Sequence, residues 1–367
     1  MLARPRSKTR LESIGVYLPE RVQSTAELMS QLACGPIFDL EAITGIASRR
    51  VHAPDEDSYA LALKAARNCL NKSKYDARDL EALIYVSITR FKGGLRTQFD
   101  PAISLFLRRE LGASNAQHFD ITNACAGMCT GMHLVDTMIR SGTVRNGLVV
   151  SGECITPLAD VALQEVSGID DQQLASLTVG DAGSACVLEG CSANDPGVDF
   201  ARFVTLGTYS DLCLAMPSDK RPGVVMYTRS AALHIEAIKR FPRFLAKVLA
   251  EHGMRLSDYD YLIPHQTASG ALRAGTQALA NFFGDVPEVI SIVGEYGNTS
   301  STSHLLALDA AIADKRIKQG DRVLFLVMAS GLVLGLVSFT VGFLEATHAH
   351  ENRYSQRLQP GWSGQID

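Results

Sequence analysis

The chain carries one pattern twice, and that repeat limits its architecture more than any other feature. "SYALALKAARNCLNKSKYDARDLEALIYVSIT" reads as a helix, a polar turn and a strand, and "HIEAIKRFPRFLAKVLAEHGMRLSDYDYLIPHQ" has the same plan. In each, an Asp-containing turn (Asp76–Asp79, Ser257–Asp260) precedes an apolar strand. The pairing continues: "RNGLVVSGE" matches "GDRVLFLVMASG", and "GSACVLEG" matches "GLVLGLVSFTV". Apolar strands alternating with helices predict a layered α/β fold. The repeat gives two α/β units, 10–195 and 200–345, with Gly190–Asp199 as the boundary. The polar, Pro/Gly-punctuated tail 346–367 is expected to be mobile. Segments 29–45 and 153–178 lack clean periodicity and read either as channel-lining insertions or as surface loops.

With 367 residues, 46% of them hydrophobic, the chain can bury a large core. The net charge of −4 is spread over both signs with no Lys/Arg run, which excludes a nucleic-acid footprint. The start "MLARPRSKTRLES" is basic but has no apolar stretch behind it, so it reads as a ragged terminus rather than a targeting peptide. Val323–Leu344 imitates a membrane span in length. Its β-branched residues and the break at Ala329-Ser330-Gly331 argue instead for two buried strands and a tight turn, so no membrane insertion is expected. The eight cysteines (34, 69, 125, 129, 154, 186, 191 and 213) follow no tight spacing. They imply free, mostly buried thiols in a reducing cytoplasm rather than a disulfide scaffold.

Cys125 stands out. "HFDIT" reads as a short strand, "NACAG" as a turn and "MCTGMHLVDTMIRSG" as a helix closed by Arg140 and Gly142. Cys125 therefore falls on a strand-to-helix turn, where unpaired N–H groups and the helix dipole favour a thiolate. Cys129, a turn further in, reads as a packing residue. A second pair of thiols for a metal is missing, as is a Cys-x-x-Cys redox pair, so neither a metal nor a cofactor is expected. In the second unit, "YLIPHQTASG" places His265 just after a strand, and "GEYGNTSSTSHLLALDAAI" places Asn298 in a turn before a helix. Each alone is ordinary. Together with a helix-start cysteine they form a nucleophile, an imidazole and an amide.

At these residues the sequence resembles the thiolase superfamily, and within it the β-ketoacyl-acyl carrier protein synthase III (ketosynthase III) enzymes. The matching pieces are 43–50, 123–128, 179–188, 264–266, 297–303 and 313–325, in the family's order and spread over about 10 to 343. The resemblance implies a five-layered αβαβα thiolase fold of two duplicated halves, and a homodimer. It carries the nucleophile onto Cys125 and the two transition-state partners onto His265 and Asn298. The backbone N–H groups of Cys125 and Ser330 would form an oxyanion hole. The substrates implied are an acyl thioester on coenzyme A or acyl carrier protein and a malonyl thioester, joined by decarboxylative Claisen chemistry in fatty-acid or polyketide-type biosynthesis.

Three departures from that pattern matter. The Trp and Arg that contact coenzyme A in the family are missing around Thr44-Gly45-Ile46, where Ile43 stands and the only Trp is Trp362. Ala329-Ser330-Gly331 replaces a run of three glycines. Asp100 precedes Pro101 where relatives have an apolar residue, and it reads either as a cap for the next helix or as a general base acting across the dimer. A base at Asp100 would suit non-decarboxylative condensation. Transfer of the acyl group to an oxygen or nitrogen nucleophile, and a non-catalytic subunit, are the other readings.

Overall fold

The computed structural model describes residues 8–347. The expected mobile tail, with Trp362, His348 and His350, lies outside them, apart from residues 346–347. The duplication is explicit in the sheet. The first half contributes β1 (Lys8–Tyr17), β2 (Ala82–Tyr85), β3 (Gln117–Asp120), β4 (Asn146–Glu153) and β5 (Ala182–Cys191). The second contributes β6 (Val198–Thr205), β7 (Tyr261–Pro264), β8 (Glu288–Val289), β9 (Arg322–Ala329) and β10 (Val333–Thr340). Their spatial orders, β3-β2-β4-β5-β1 and β8-β7-β9-β10-β6, are the same order in the two halves. Pairing repeats too. β5 runs antiparallel to β1 and β4, and β2 parallel to β3 and β4. In the second half β10 runs antiparallel to β6 and β9, and β7 parallel to β8 and β9. A single bridge, Thr9 to Val198, joins the two arrays edge to edge.

Helices repeat as well: α1 (Ser58–Leu70), α2 (Ile103–Leu111) and α3 (Gly127–Arg140), then α4 (Ser230–Glu251), α5 (Ser269–Phe283) and α6 (Ser303–Ala313). The strands are apolar on both faces, as sheets covered on both sides must be. Ile84, Val149 and Cys186 face a central core shared with α3, α6 and the second half, while Leu83, Leu148 and Val187 face an outer core with α1 and α2. A third core packs α4 and α5 on the outside of the second array. α3 and α6 therefore lie in the middle layer. Nine consecutive residues of α6, Ser303 to Ala311, are buried. The membrane-like stretch is the β9–β10 hairpin, and no helix among the described residues is long and apolar enough to cross a membrane.

α1 lies unusually close to the sheet because glycine faces it from three strands. A Cβ on Gly15, Gly152 or Gly183 would sit 2.0–2.3 Å from the α1 backbone. Gly152→Ala must push α1 off the sheet, and overpacking of this kind costs about 1–3 kcal/mol or more. A lower denaturation midpoint with unchanged slope in urea is the expected result.

The two aperiodic segments find each other. Met29, Leu32 and Leu40 pack with Ala162, Leu163 and Leu177 in one small core. The capping reading of Asp100 is corrected by the structure. The first N–H groups of α2, at Ile103 and Ser104, donate to the Asp120 carboxylate at 3.0 and 2.9 Å, and Asp120 also pairs with Arg90. Asp100 is left exposed on the loop before it.

Candidate active site

Cys125 sits in a single 3-10 turn, Ala124–Ala126, between β3 and α3. Ala124 has φ +45°, a left-handed conformation that a residue with a side chain adopts only under constraint. The second half repeats the device. Ser300 opens the turn Ser300–Thr302 before α6 with φ +54°. Both residues stand three positions ahead of their helix. The duplication thus sets two constrained turns against each other, and the Ser300 hydroxyl lies 3.7 Å from Cys125 Sγ.

The same short segment gathers the other two residues. Asn298 is clamped by its backbone: its N–H donates to Thr178 O at 2.9 Å and its carbonyl accepts from Gly180 N at 3.1 Å. Gly297 must be glycine here, since its φ is +65° and a Cβ would lie 2.7 Å from Thr178 O. Asn298 Oδ1 accepts the Ser300 N–H at 2.9 Å, which fixes the amide and leaves its NH2 as donor. His265 follows β7 and lies 2.9 Å from Ser303 Oγ through Nδ1. Cys125, Asn298 and His265 are thereby brought together around Ser300–Ser303, one from the first half and two from the second. Ser330 lies in the β9–β10 turn, and the end of β9 packs on the Cys125 turn. The Cys125 N–H lies in the first turn of this 3-10 segment, where no intrahelical acceptor exists.

Electrostatics alter one expectation. The helix-start argument predicts a thiolate, but burial overrides it and pushes the Cys125 thiol up to about 12, against a smaller lowering by Ser300. His265 is driven the other way, down to about 3, by burial and then by His304 and His234. It is a neutral imidazole at any physiological pH. His304 is fully buried, lies near-parallel to His265 with centroids 5.9 Å apart, and is within 3.2 Å of Leu326 O through Nε2. Burial lowers His304 to about 4. Because the unfolded chain binds protons below about 6.5 that folded His304 and His265 refuse, stability falls as pH drops from 6.5 towards 4. The His304 share is on the order of 3 kcal/mol. A melting-temperature series over that range should slope downwards, and less steeply in His304→Phe.

Several functional neighbours were not visible in the sequence. Ser300 and Ser303 hold the site, but the sequence marked them only as part of the matching stretch 297–303, with no role of their own. His52, which had no sequence partner, binds Asp181 at 2.8 Å. With Cys154 these two form the one group among the described residues close enough to bind a metal. Both Asp181 oxygens are already occupied by Ile155 N, Thr156 N and Oγ1, and His52 N and Nδ1, so the cluster is a structural clamp. Cys129 is buried, and all eight cysteines are free. An apolar cavity between α4 and α5, lined by His234, Ala237, Phe241 and Leu272, reaches His265.

A duplicated α/β fold whose middle helices present a cysteine to a histidine and an asparagine defines a thiolase-fold condensing enzyme. Residues 119–207 match the family described as 3-Oxoacyl-[acyl-carrier-protein (ACP)] synthase III, and residues 249–341 match its C-terminal part. The Beta-ketoacyl-[acyl-carrier-protein] synthase III of Acidiphilium cryptum is 30% identical over 333 residues, which is 89% of this chain and 98% of that protein. The Methylococcus capsulatus enzyme of the same name is 28% identical over 332 residues, 89% and 97% of the two chains. The 3-oxoacyl-[acyl-carrier-protein] synthase III structure from Aquifex aeolicus superposes with a TM-score of 0.76 at 25% identity, covering 91% of this chain and all of that one. OleA of Xanthomonas campestris shares the fold with a TM-score of 0.79 at 23% identity, covering 92% and 100%. The chain belongs to the β-ketoacyl-[acyl-carrier-protein] synthase III family and is a carbon–carbon bond-forming acyltransferase.

Proposed function

We propose that an acyl thioester acylates Cys125 and that the enzyme then condenses this group with a malonyl thioester, releasing CO2 and a β-ketoacyl product. Donor orientation at the paired residues carries the reading. Asn298 offers an NH2 because its oxygen is held by Ser300 N–H, and His265 is neutral with Nδ1 engaged by Ser303. If Ser303 donates to Nδ1, the remaining ring nitrogen bears the proton. Two neutral donors suit the enolate left by decarboxylation. The backbone N–H groups of Cys125 and Ser330 serve the acylation oxyanion. The apolar cavity at His265 suits a thioester arm or acyl chain. Ile43, 39% exposed, brings no charge for a coenzyme phosphate, which favours a carrier-protein donor over coenzyme A. Free thiols throughout fit a cytoplasmic enzyme of fatty-acid or polyketide-type synthesis.

Dimerisation belongs to the same reading. Phe99 is 86% exposed and Leu95 50%, on the loop that also carries Asp100. Apolar side chains this bare suit burial against a second copy. Sedimentation should report a dimer, and Phe99→Asp should weaken it.

The same observation keeps a second chemistry in view, because Asp100 is free of capping duty and would enter the partner's site with this loop. The two are separated by product. Malonyl and acyl thioesters together should yield labelled CO2 and a β-ketoacyl thioester, and Asp100→Asn should retain that activity within about threefold, as a residue outside the chemistry does. Loss of condensation in Asp100→Asn, or β-keto acid from two acyl thioesters, would establish Asp100 as base. Ester or amide without CO2 would instead show acyl transfer.

A further inference from the structure

Acyl loading on Cys125 leaves a proton to be placed. Cys125 is only partly buried, yet desolvation keeps its thiol protonated, and the His265 imidazole has little affinity for a proton. A different group is in reach. Glu153 ends β4, is completely buried, and has no Lys, Arg or His within ion-pair distance among the described residues. Its carboxylate is held by donors alone: Ile88 N at 2.9 Å, Thr89 N at 3.2 Å, Thr89 Oγ1 at 3.0 Å and the Ser301 hydroxyl. Behind Ser301 the hydroxyls continue to Ser151 at 2.7 Å and Ser87 at 3.0 Å. Towards the nucleophile, Ser300 Oγ lies 3.4 Å from Glu153 Oε1 and 3.7 Å from Cys125 Sγ.

We propose that Glu153 accepts the Cys125 proton through the Ser300 hydroxyl during acyl loading and returns it to the departing thiol. The inference rests on the acyl-loading role of Cys125 proposed above. Ser300 has one proton. It has two acceptors in reach, Cys125 Sγ and Glu153 Oε1; when it turns from the sulfur to Glu153, it leaves an oxygen lone pair facing the thiol. The thiol proton moves to Ser300 Oγ as the Ser300 proton moves to Glu153 Oε1. Sγ then attacks the thioester carbonyl, the bond from that carbon to the donor's sulfur breaks, and the proton retraces its path to the donor thiolate. Atoms and charge balance with no other reactant. Burial raises the proton affinity of Glu153, which narrows its gap from the thiol. Ser300, whose backbone is left-handed, has its hydroxyl between the two.

The test is the rate of Cys125 alkylation by iodoacetamide from pH 5 to 10, followed by peptide mass after digestion so that Cys125 is read apart from the exposed Cys34, in the native enzyme, Glu153→Gln and Ser300→Ala. An internal acceptor gives a thiolate population that does not depend on pH, so the native enzyme should show a plateau through neutrality. Both variants should lose it and rise tenfold per pH unit, falling about 100-fold below native at the low end, the scale of positioned proton transfer. A plateau that survives in a folded Glu153→Gln or Ser300→Ala protein overturns the proposal. If Glu153→Gln fails to fold, Ser300→Ala, which leaves the carboxylate and its other donors in place, decides alone. Alkylation needs no acyl donor. A native protein that shows the plateau but accepts no acyl thioester would refute the loading role while leaving the proton path intact.

Discussion

Cys125→Ala should lose both the covalent acyl adduct and condensation, with turnover reduced by at least about 10^4-fold. Intact-protein mass spectrometry after incubation with acyl-coenzyme A and acyl carrier protein reads the first effect, and labelled malonyl thioester reads the second. The native enzyme should gain the mass of one acyl group, and the preferred carrier and chain length follow from which donor gives it. The fold should survive, because Cys125 is only partly buried at the edge of the central core, while Cys129, one turn away, is buried inside it. An adduct retained in the Ala variant would move the nucleophile elsewhere, and no adduct from any donor in the native enzyme would count against covalent loading.

Asn298→Asp should separate the two half-reactions. The side chain keeps the oxygen that holds the Ser300 N–H and replaces the NH2 donor by a second oxygen. Acyl loading on Cys125 should therefore persist, while CO2 release from malonyl thioester falls by about 10^2–10^3-fold, the loss expected for one transition-state donor. The added negative charge opposes the enolate and deepens the effect. His265→Ala should behave in the same direction. Because His265 is neutral throughout, condensation should show no imidazole titration between pH 5 and 9. Equal loss of loading and decarboxylation in Asn298→Asp would mean that the residue acts on Cys125 rather than on the enolate.

What could be read from residues alone was whatever repeats or stays local. The helix at 58–70 and the strand at 82–85, the hairpin at 322–340, and the strand-to-helix turn under Cys125 each carry their signals within one continuous stretch of chain. The paired halves then imposed the sheet order. What escaped reading depends on chain segments far apart. Asp120 caps α2 because β3 lies beside β2 and delivers the carboxylate there, whereas Asp100, nearer in sequence, points away from that duty. The segments at 29–45 and 153–178 are irregular alone because each supplies only part of a small core. Glu153 reads as the polar end of an apolar strand, and only the return of residues 300–301 from the other half gives it hydroxyl partners. Local sequence also favoured a thiolate at Cys125. Desolvation, a property of everything packed around it, decides otherwise.

The all-round burial of α6 has a bearing on how the enzyme is made. A helix buried on every side cannot rest on one sheet and wait. It needs both arrays, and the last strands of the second, β9 and β10, are translated after it. A ribosome must therefore release the chain through β10 before α6 finds cover, and until then it is a sticky segment of the kind that chaperones shield. During refolding, catalytic competence should return only in the final phase, after most secondary structure has formed.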